Sequence, residues 1–154
     1  MSSSIASGAI LTGTANLTYY SSYPSCCDGV PDYDGKKYTD TTECTEYSGC
    51  DYQGQFAAYR DLTFEEVQQM RIVAFFKTGS TNFYAGKRIR LTKGTKTIDA
   101  VIGDTCGDAD CGGCCTENAG SLGYLVDLEY FTAVAFLGST DYVDGTVAFS
   151  IFST

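Results

Sequence analysis

The stretch IVAFFKTGSTNFYAGKRIRLTKGTKTIDAVI, residues 72–102, decides the fold class because it holds three β-rich runs separated by turn residues. In the second run, apolar Ile89 and Leu91 alternate with Arg88 and Arg90, which is the pattern of a strand with one buried face. The predicted strands of this stretch cover residues 72–76, 84–91 and 97–102.

Signals on both sides of this stretch complete a mostly β pattern. Residues 15–20 alternate between two sets of side chains, as in a half-buried strand. Thr63 and Glu66 have the spacing of a capping box, which predicts a helix over residues 64–70. Apolar residues at helical spacing predict a second short helix over residues 128–136. Further strands are predicted over residues 124–127 and 146–152.

The length of 154 residues indicates one domain. We expect a loose, serine-rich arm over residues 1–8. A single domain then covers residues 9–154, with a Cys-rich insertion at about residues 21–54. The expected fold is a small β-barrel with one or two short helices and disulfide-linked loops.

Charge and composition exclude several classes of function. The formal net charge of -9 opposes binding to phosphate backbones and to anionic membrane surfaces, so no nucleic-acid or membrane partner is expected. No apolar run is long enough to span a bilayer. The chain has no histidine, which excludes every mechanism that needs an imidazole, including Ser-His-Asp catalysis.

Eight cysteines in glycine-rich loops favour a disulfide framework and a secreted protein. Their pairing stays open, since eight cysteines allow 105 arrangements. The alternative is a four-thiolate zinc site formed by the later four cysteines, but two of them are adjacent and fit one tetrahedral ion poorly. The first eight residues do not resemble a signal peptide, so we expect that a native leader was replaced by the initiator methionine.

Four stretches, in order along the chain, resemble the double-psi β-barrel shared by expansins, glycoside hydrolase family 45 and barwin-like proteins. Residues 13–20, GTANLTYY, are similar to the opening strand G-x-A-x-x-T-x-Y. Residues 49–58 resemble a Cys-Gly segment that leads into an Ala-Ala stretch. Residues 101–106, VIGDTC, resemble V-x-x-D-x-C. The sequence from Val126-Asp127-Leu128 to residues 145–147 resembles the F-D-L…A-F…G-x-V ending.

The resemblance implies a six-stranded double-psi barrel that acts on cell-wall polysaccharide. It implies a secreted, monomeric, expansin-like protein that binds or loosens a neutral glycan of the β-glucan or cellulose type in an open groove. One alternative is a family 45-like inverting endo-β-1,4-glucanase. A second is a barwin-like or protease-inhibitor-like defence protein, since fold does not determine function.

Asp127 and Asp104 are the predicted catalytic residues. The resemblance matches Asp127 to the family's acid, and apolar neighbours tend to raise the pKa of an aspartate, as an acid requires. Its alternative role is the N-cap of the following helix. Asp104 matches the aspartate of V-x-x-D-x-C, and its alternative is a turn residue. Ser25 stands where family 45 has its general-base aspartate, which favours binding without hydrolysis.

The predicted substrate-binding residues are polar or aromatic. Tyr19 and Tyr20 offer ring faces to sugar C–H groups and hydroxyls to sugar oxygens, although ordinary packing can explain either tyrosine. Thr18 occupies the threonine position of the opening motif, and Asn82 is a candidate for positioning a water molecule. No cofactor and no metal is expected.

Overall fold

The computed structural model describes residues 8–33, 44 and 48–153, apart from the side chain of Asp110. Most of the predicted N-terminal arm and part of the Cys-rich insertion lie outside these residues. Six strands close into a barrel in the order β1-β5-β2-β4-β3-β6. Their bounds are β1 Ala9–Tyr20, β2 Ile72–Lys77, β3 Arg88–Lys93, β4 Lys96–Asp104, β5 Tyr124–Glu129 and β6 Thr146–Phe152.

Two of the six pairings in the barrel are parallel, β1 with β5 and β2 with β4. The other four pairings are antiparallel. The predicted mostly β, six-stranded architecture is therefore confirmed.

Four short α-helices lie between the strands of the described chain: α1 Phe64–Gln69, α2 Asp108–Cys111, α3 Cys114–Ala119 and α4 Tyr130–Leu137. The sequence predicted α1 and α4. The capping box is present, because the Thr63 side chain accepts from the Glu66 amide and the Glu66 side chain accepts from the Thr63 amide. Among the described residues, no helix combines the length and apolar character needed to cross a bilayer.

Two predicted boundaries are wrong for local reasons. The strand predicted from residue 84 begins only at Arg88, because Tyr84 has a positive φ of 58° and starts a turn. The helix predicted from residue 128 begins at Tyr130, because β5 continues through Glu129 and the Glu129 side chain then caps the helix.

The barrel interior is filled by alternate residues of all six strands. Val73 and Phe75 of β2 contribute to it, as do Val126 and Leu128 of β5. A second, smaller cluster packs the outer side of the barrel against α1 and is centred on Phe56, with Val67 and Ile72. The barrel wall therefore has apolar packing on both faces next to α1.

All eight cysteines form disulfides, which confirms the predicted framework. The pairs keep to the two halves of the chain: Cys26–Cys44, Cys27–Cys50, Cys106–Cys115 and Cys111–Cys114. All eight cysteines lie outside the six strands, so each disulfide joins segments that connect strands.

A register shift at Gly103 changes the direction of the end of β4. Val73 pairs with Ile102, but the next residue of β2, Ala74, pairs with Asp104. Gly103 is the additional residue, and a bulge of this kind reverses which face the following side chain occupies. Asp104 therefore shares a face with Ala74. An added Cβ at Gly103 would lie 2.9 Å from Cγ2 of Ile72.

We predict that Gly103→Ala lowers the free energy of unfolding by about 1–3 kcal/mol, because the added methyl group overpacks a site against buried Ile72. Chemical denaturation measures the change. The control is a double-mutant cycle with Ile72→Ala, which removes the crowded methyl group. The cost of the double variant should therefore fall short of the sum of the two single costs by about 1 kcal/mol. Additive costs contradict the explanation.

Candidate functional site

The centre of the candidate site is Ala74 of β2, which has an aspartate on each side. Asp127 of β5 pairs with it on one side, and Asp104 of β4 pairs with it on the other. Strands in a sheet lie about 4.8 Å apart, so the Cα atoms of the two aspartates are about 10 Å apart. Since Val73 and Phe75 point into the barrel, Ala74 and its paired aspartates lie on the outer face.

Asp127 is held from the neighbouring strand β1. Thr18 pairs with Asp127 in the parallel ladder, and Oγ1 of Thr18 donates a 2.9 Å hydrogen bond to Oδ1 of Asp127. Both residues are half-buried. The structure thus brings together two of the predicted residues, Thr18 and Asp127, by a direct contact.

Asp104 is held by backbone amides at the end of β4. Its Oδ1 accepts hydrogen bonds from the amides of Thr105 at 2.9 Å and Ala57 at 3.3 Å. Burial raises the pKa of Asp104, and the two amides and the positive charge of Arg60 only partly oppose this effect. A carboxyl with a raised pKa is suited to donate a proton or a neutral hydrogen bond.

The hydroxyl of Tyr20 lies near the same carboxyl groups. The oxygen is buried and has no hydrogen-bond partner among the described residues. Burial raises the pKa of Tyr20 well above its usual value, and the nearby charges of Asp104, Glu129 and Asp127 raise it further. A buried hydroxyl without a partner costs free energy, which makes it a candidate ligand contact.

Glu129 is a residue that the sequence reasoning missed. It pairs with Tyr20 in the ladder and is 1% exposed. Oε2 accepts from the amide and hydroxyl of Ser22 at 3.3 and 3.0 Å, and Oε1 accepts from the amide of Phe131 at 2.9 Å. Burial raises the pKa of Glu129 to about 7. The period-2 pattern from Asp127 could have identified it, since alternate residues of a strand share a face.

The other predicted contacts occupy different surroundings. Tyr19 is 41% exposed and pairs with Leu128, so it lies on the opposite side of β1 from Thr18 and Tyr20. Asn82 belongs to the turn between β2 and β3, where its side chain accepts from the amide of Tyr84 at 3.0 Å. No hydrogen bond among the described residues joins Asn82 to the aspartates. Ser25 is buried.

These features define a small disulfide-linked β-barrel protein with a strip of carboxyl and hydroxyl groups on its outer face. Comparison with protein-family models and with curated proteins finds no match to this chain.

We predict that Glu129 makes stability fall as the pH rises from 4.5 to 7. Its folded-state pKa of about 7 lies above the ordinary value of 4.5. The stabilisation that protonated Glu129 gives to the folded state is therefore complete below pH 4.5 and is lost as the pH rises through 7. The free energy of unfolding should fall by about 3 kcal/mol over this range. Denaturation across this pH range measures the effect.

Glu129→Gln should remove this part of the pH dependence, because an amide does not titrate. The matched control is Glu117→Gln, which changes an exposed glutamate of α3 and should leave the pH dependence as it is. Identical pH dependence in wild type and Glu129→Gln would show that Glu129 ionises normally.

Proposed function

We propose that this chain is a secreted, expansin-like protein that binds neutral polysaccharide of the β-glucan or cellulose type through the outer face around Ala74. The observation that carries the proposal is the register in which Asp127 and Asp104 lie on either side of Ala74. Ala74 itself is 5% exposed, so a sugar ring would contact the half-buried carboxyl groups on either side of it, with its hydroxyls bonded to both.

The topology supports the double-psi form of the barrel. Six strands close in a ring, and the two parallel pairs, β1 with β5 and β2 with β4, each require a crossover connection. Four disulfides are consistent with an oxidising, extracellular compartment.

The charge of the site favours an uncharged partner. Three carboxyl residues, Asp104, Asp127 and Glu129, contribute to the field at Tyr20. A polyanion such as pectin would be repelled by this field and by the net charge of -9. Neutral sugar hydroxyls can instead donate to carboxylates and accept from the Tyr20 hydroxyl.

Binding without hydrolysis is preferred because Ser25 stands where family 45 has its general-base aspartate, and the chain has no histidine that could activate a serine. Asp104 accepts two backbone amides, and burial favours its neutral form. The alternative, an inverting endo-β-1,4-glucanase with Asp127 as general acid, has one observation in its favour. Asp127 and Asp104 lie on the same face on either side of Ala74, and an inverting enzyme needs two carboxyl groups that face one substrate.

We predict that Asp127→Asn weakens binding to cellohexaose about tenfold while the protein stays folded. Asparagine keeps an oxygen that can accept from Thr18 but loses the charge and the titrating proton. Calorimetry measures affinity, and a reducing-end assay on soluble β-glucan separates binding from hydrolysis. The control is Asp141→Asn, at an exposed position in the turn after α4.

Unchanged cellohexaose affinity in folded Asp127→Asn contradicts the proposed site. New reducing ends with wild type, absent with the variant, favour the glucanase over the binding protein.

We predict opposite effects on stability and binding for Tyr20→Phe. Removing a buried hydroxyl that has no hydrogen-bond partner within the described part of the chain should raise the free energy of unfolding by about 1 kcal/mol. The same change should weaken cellohexaose binding, because the hydroxyl is proposed to bond to the sugar. Tyr52→Phe is the control, since Tyr52 is 63% exposed. Reduced stability with unchanged affinity contradicts this role.

A further inference from the structure

The loop after β4 contains four cysteine sulfurs in one cluster. The sulfurs of Cys106, Cys111, Cys114 and Cys115 all lie within 4.8 Å of one another. They belong to two separate disulfides, and Sγ of Cys111 is 4.0 Å from Sγ of Cys115 in the other disulfide. A thiolate formed at Cys111 is therefore next to a disulfide that it can attack.

The two disulfides of the cluster differ in accessibility. Cys111 and Cys114 are half-buried and enclose Gly112 and Gly113, at each of which an added Cβ would meet no other atom within 4 Å. In the other disulfide, Cys106 is half-buried and Cys115 is fully buried. An external thiol can therefore approach the C-G-G-C disulfide more easily than the sulfur of Cys115.

The loop lengths also favour reduction at C-G-G-C. A disulfide stabilises a fold less when it closes a shorter loop. Cys111–Cys114 spans three residues, whereas Cys106–Cys115 spans nine and the two disulfides of the first half span 18 and 23. Opening Cys111–Cys114 should therefore cost the least folding free energy.

We propose that Cys111–Cys114 is a thiol–disulfide exchange site that accepts electrons from an external dithiol and passes them to Cys106–Cys115. A thiolate of the dithiol attacks Sγ of Cys114, breaks the Cys111–Cys114 bond and forms a mixed disulfide. Cys111 leaves as a thiolate and attacks Sγ of Cys115. This second step forms Cys111–Cys115 and releases Cys106.

The remaining thiol of the dithiol completes the reaction. It attacks its own sulfur in the mixed disulfide, which releases Cys114 and closes the oxidised dithiol. The dithiol loses two electrons and two protons, and the protons end on Cys106 and Cys114. The protein ends with one disulfide in this cluster in place of two.

Release of Cys106 acts close to the proposed glycan site. Cys106 lies two residues after Asp104, and the intervening Thr105 donates both to Asp104 and, through Oγ1, to the carbonyl of Phe75 at 2.9 Å. An effect on glycan binding rests on the proposed function, but the exchange reaction itself does not.

The test uses the folded full chain with one equivalent of dithiothreitol, followed by iodoacetamide and peptide mapping without reduction. The expected products carry label on Cys106 and Cys114 and contain a Cys111–Cys115 linkage, before either disulfide of the first half reacts. Label confined to Cys111 and Cys114, with Cys106–Cys115 intact, would overturn the transfer step. Earlier reaction at Cys26 or Cys27 would overturn the choice of site.

A matched pair of single variants tests the transfer without added dithiol. Cys114→Ser leaves the Cys111 thiol beside Cys115, so Cys106 should become labelled. Cys111→Ser leaves the Cys114 thiol instead, which would have to join its immediate neighbour to release Cys106. Labelling of Cys106 should therefore be at least tenfold slower in Cys111→Ser.

Circular dichroism is the control for folding, and both variants should keep the β-sheet signal. Equal labelling of Cys106 in the two variants would overturn the role of Cys111, as would no labelling in either. Neither result depends on glycan binding.

Discussion

The pairing register of β2 is the constraint on which the outer face depends. Ala74 of β2 pairs with Asp104 of β4 on one side and with Asp127 of β5 on the other. This pairing places both aspartates on one face of the sheet. If Gly103 took a regular place in the ladder and formed no bulge, alternation along β4 would direct Asp104 toward the interior that Ile102 occupies. One glycine thus decides whether a carboxyl group lies beside the site or in the core.

The strip of polar groups on this face includes buried polar atoms of a kind that folded proteins usually avoid or pair with hydrogen-bond partners. Glu129 is buried in a position that favours apolar residues, and the Tyr20 oxygen lacks a partner among the described residues. The cluster that fills the interior of the barrel consists of apolar residues. Local departures of this kind concentrate at functional sites, where a ligand supplies the missing interactions.

Sequence patterns predicted the features that depend on neighbouring residues and missed those that depend on how the barrel closes. Alternation at Ile89 and Leu91, and the capping box at Thr63, are local signals, and the structure confirms the elements that they indicate. The strand order, the bulge at Gly103 and the disulfide pairing result from contacts distant in sequence. Periodicity from Asp127 places Glu129 on the same face, but its role as a cap depends on where β5 ends, which local periodicity does not determine.

The barrel and its disulfides stabilise different parts of the molecule. Each strand has a hydrogen-bonded neighbour on both sides, so the closed sheet needs no covalent link between strands. The disulfides instead hold the loops, and Cys115 packs with Phe76 and Leu125 against the barrel. A change in pairing among the four clustered sulfurs can therefore rearrange the loop after Asp104 while the strands keep their register. This separation would allow the proposed thiol–disulfide exchange in the loop to leave the sheet unchanged.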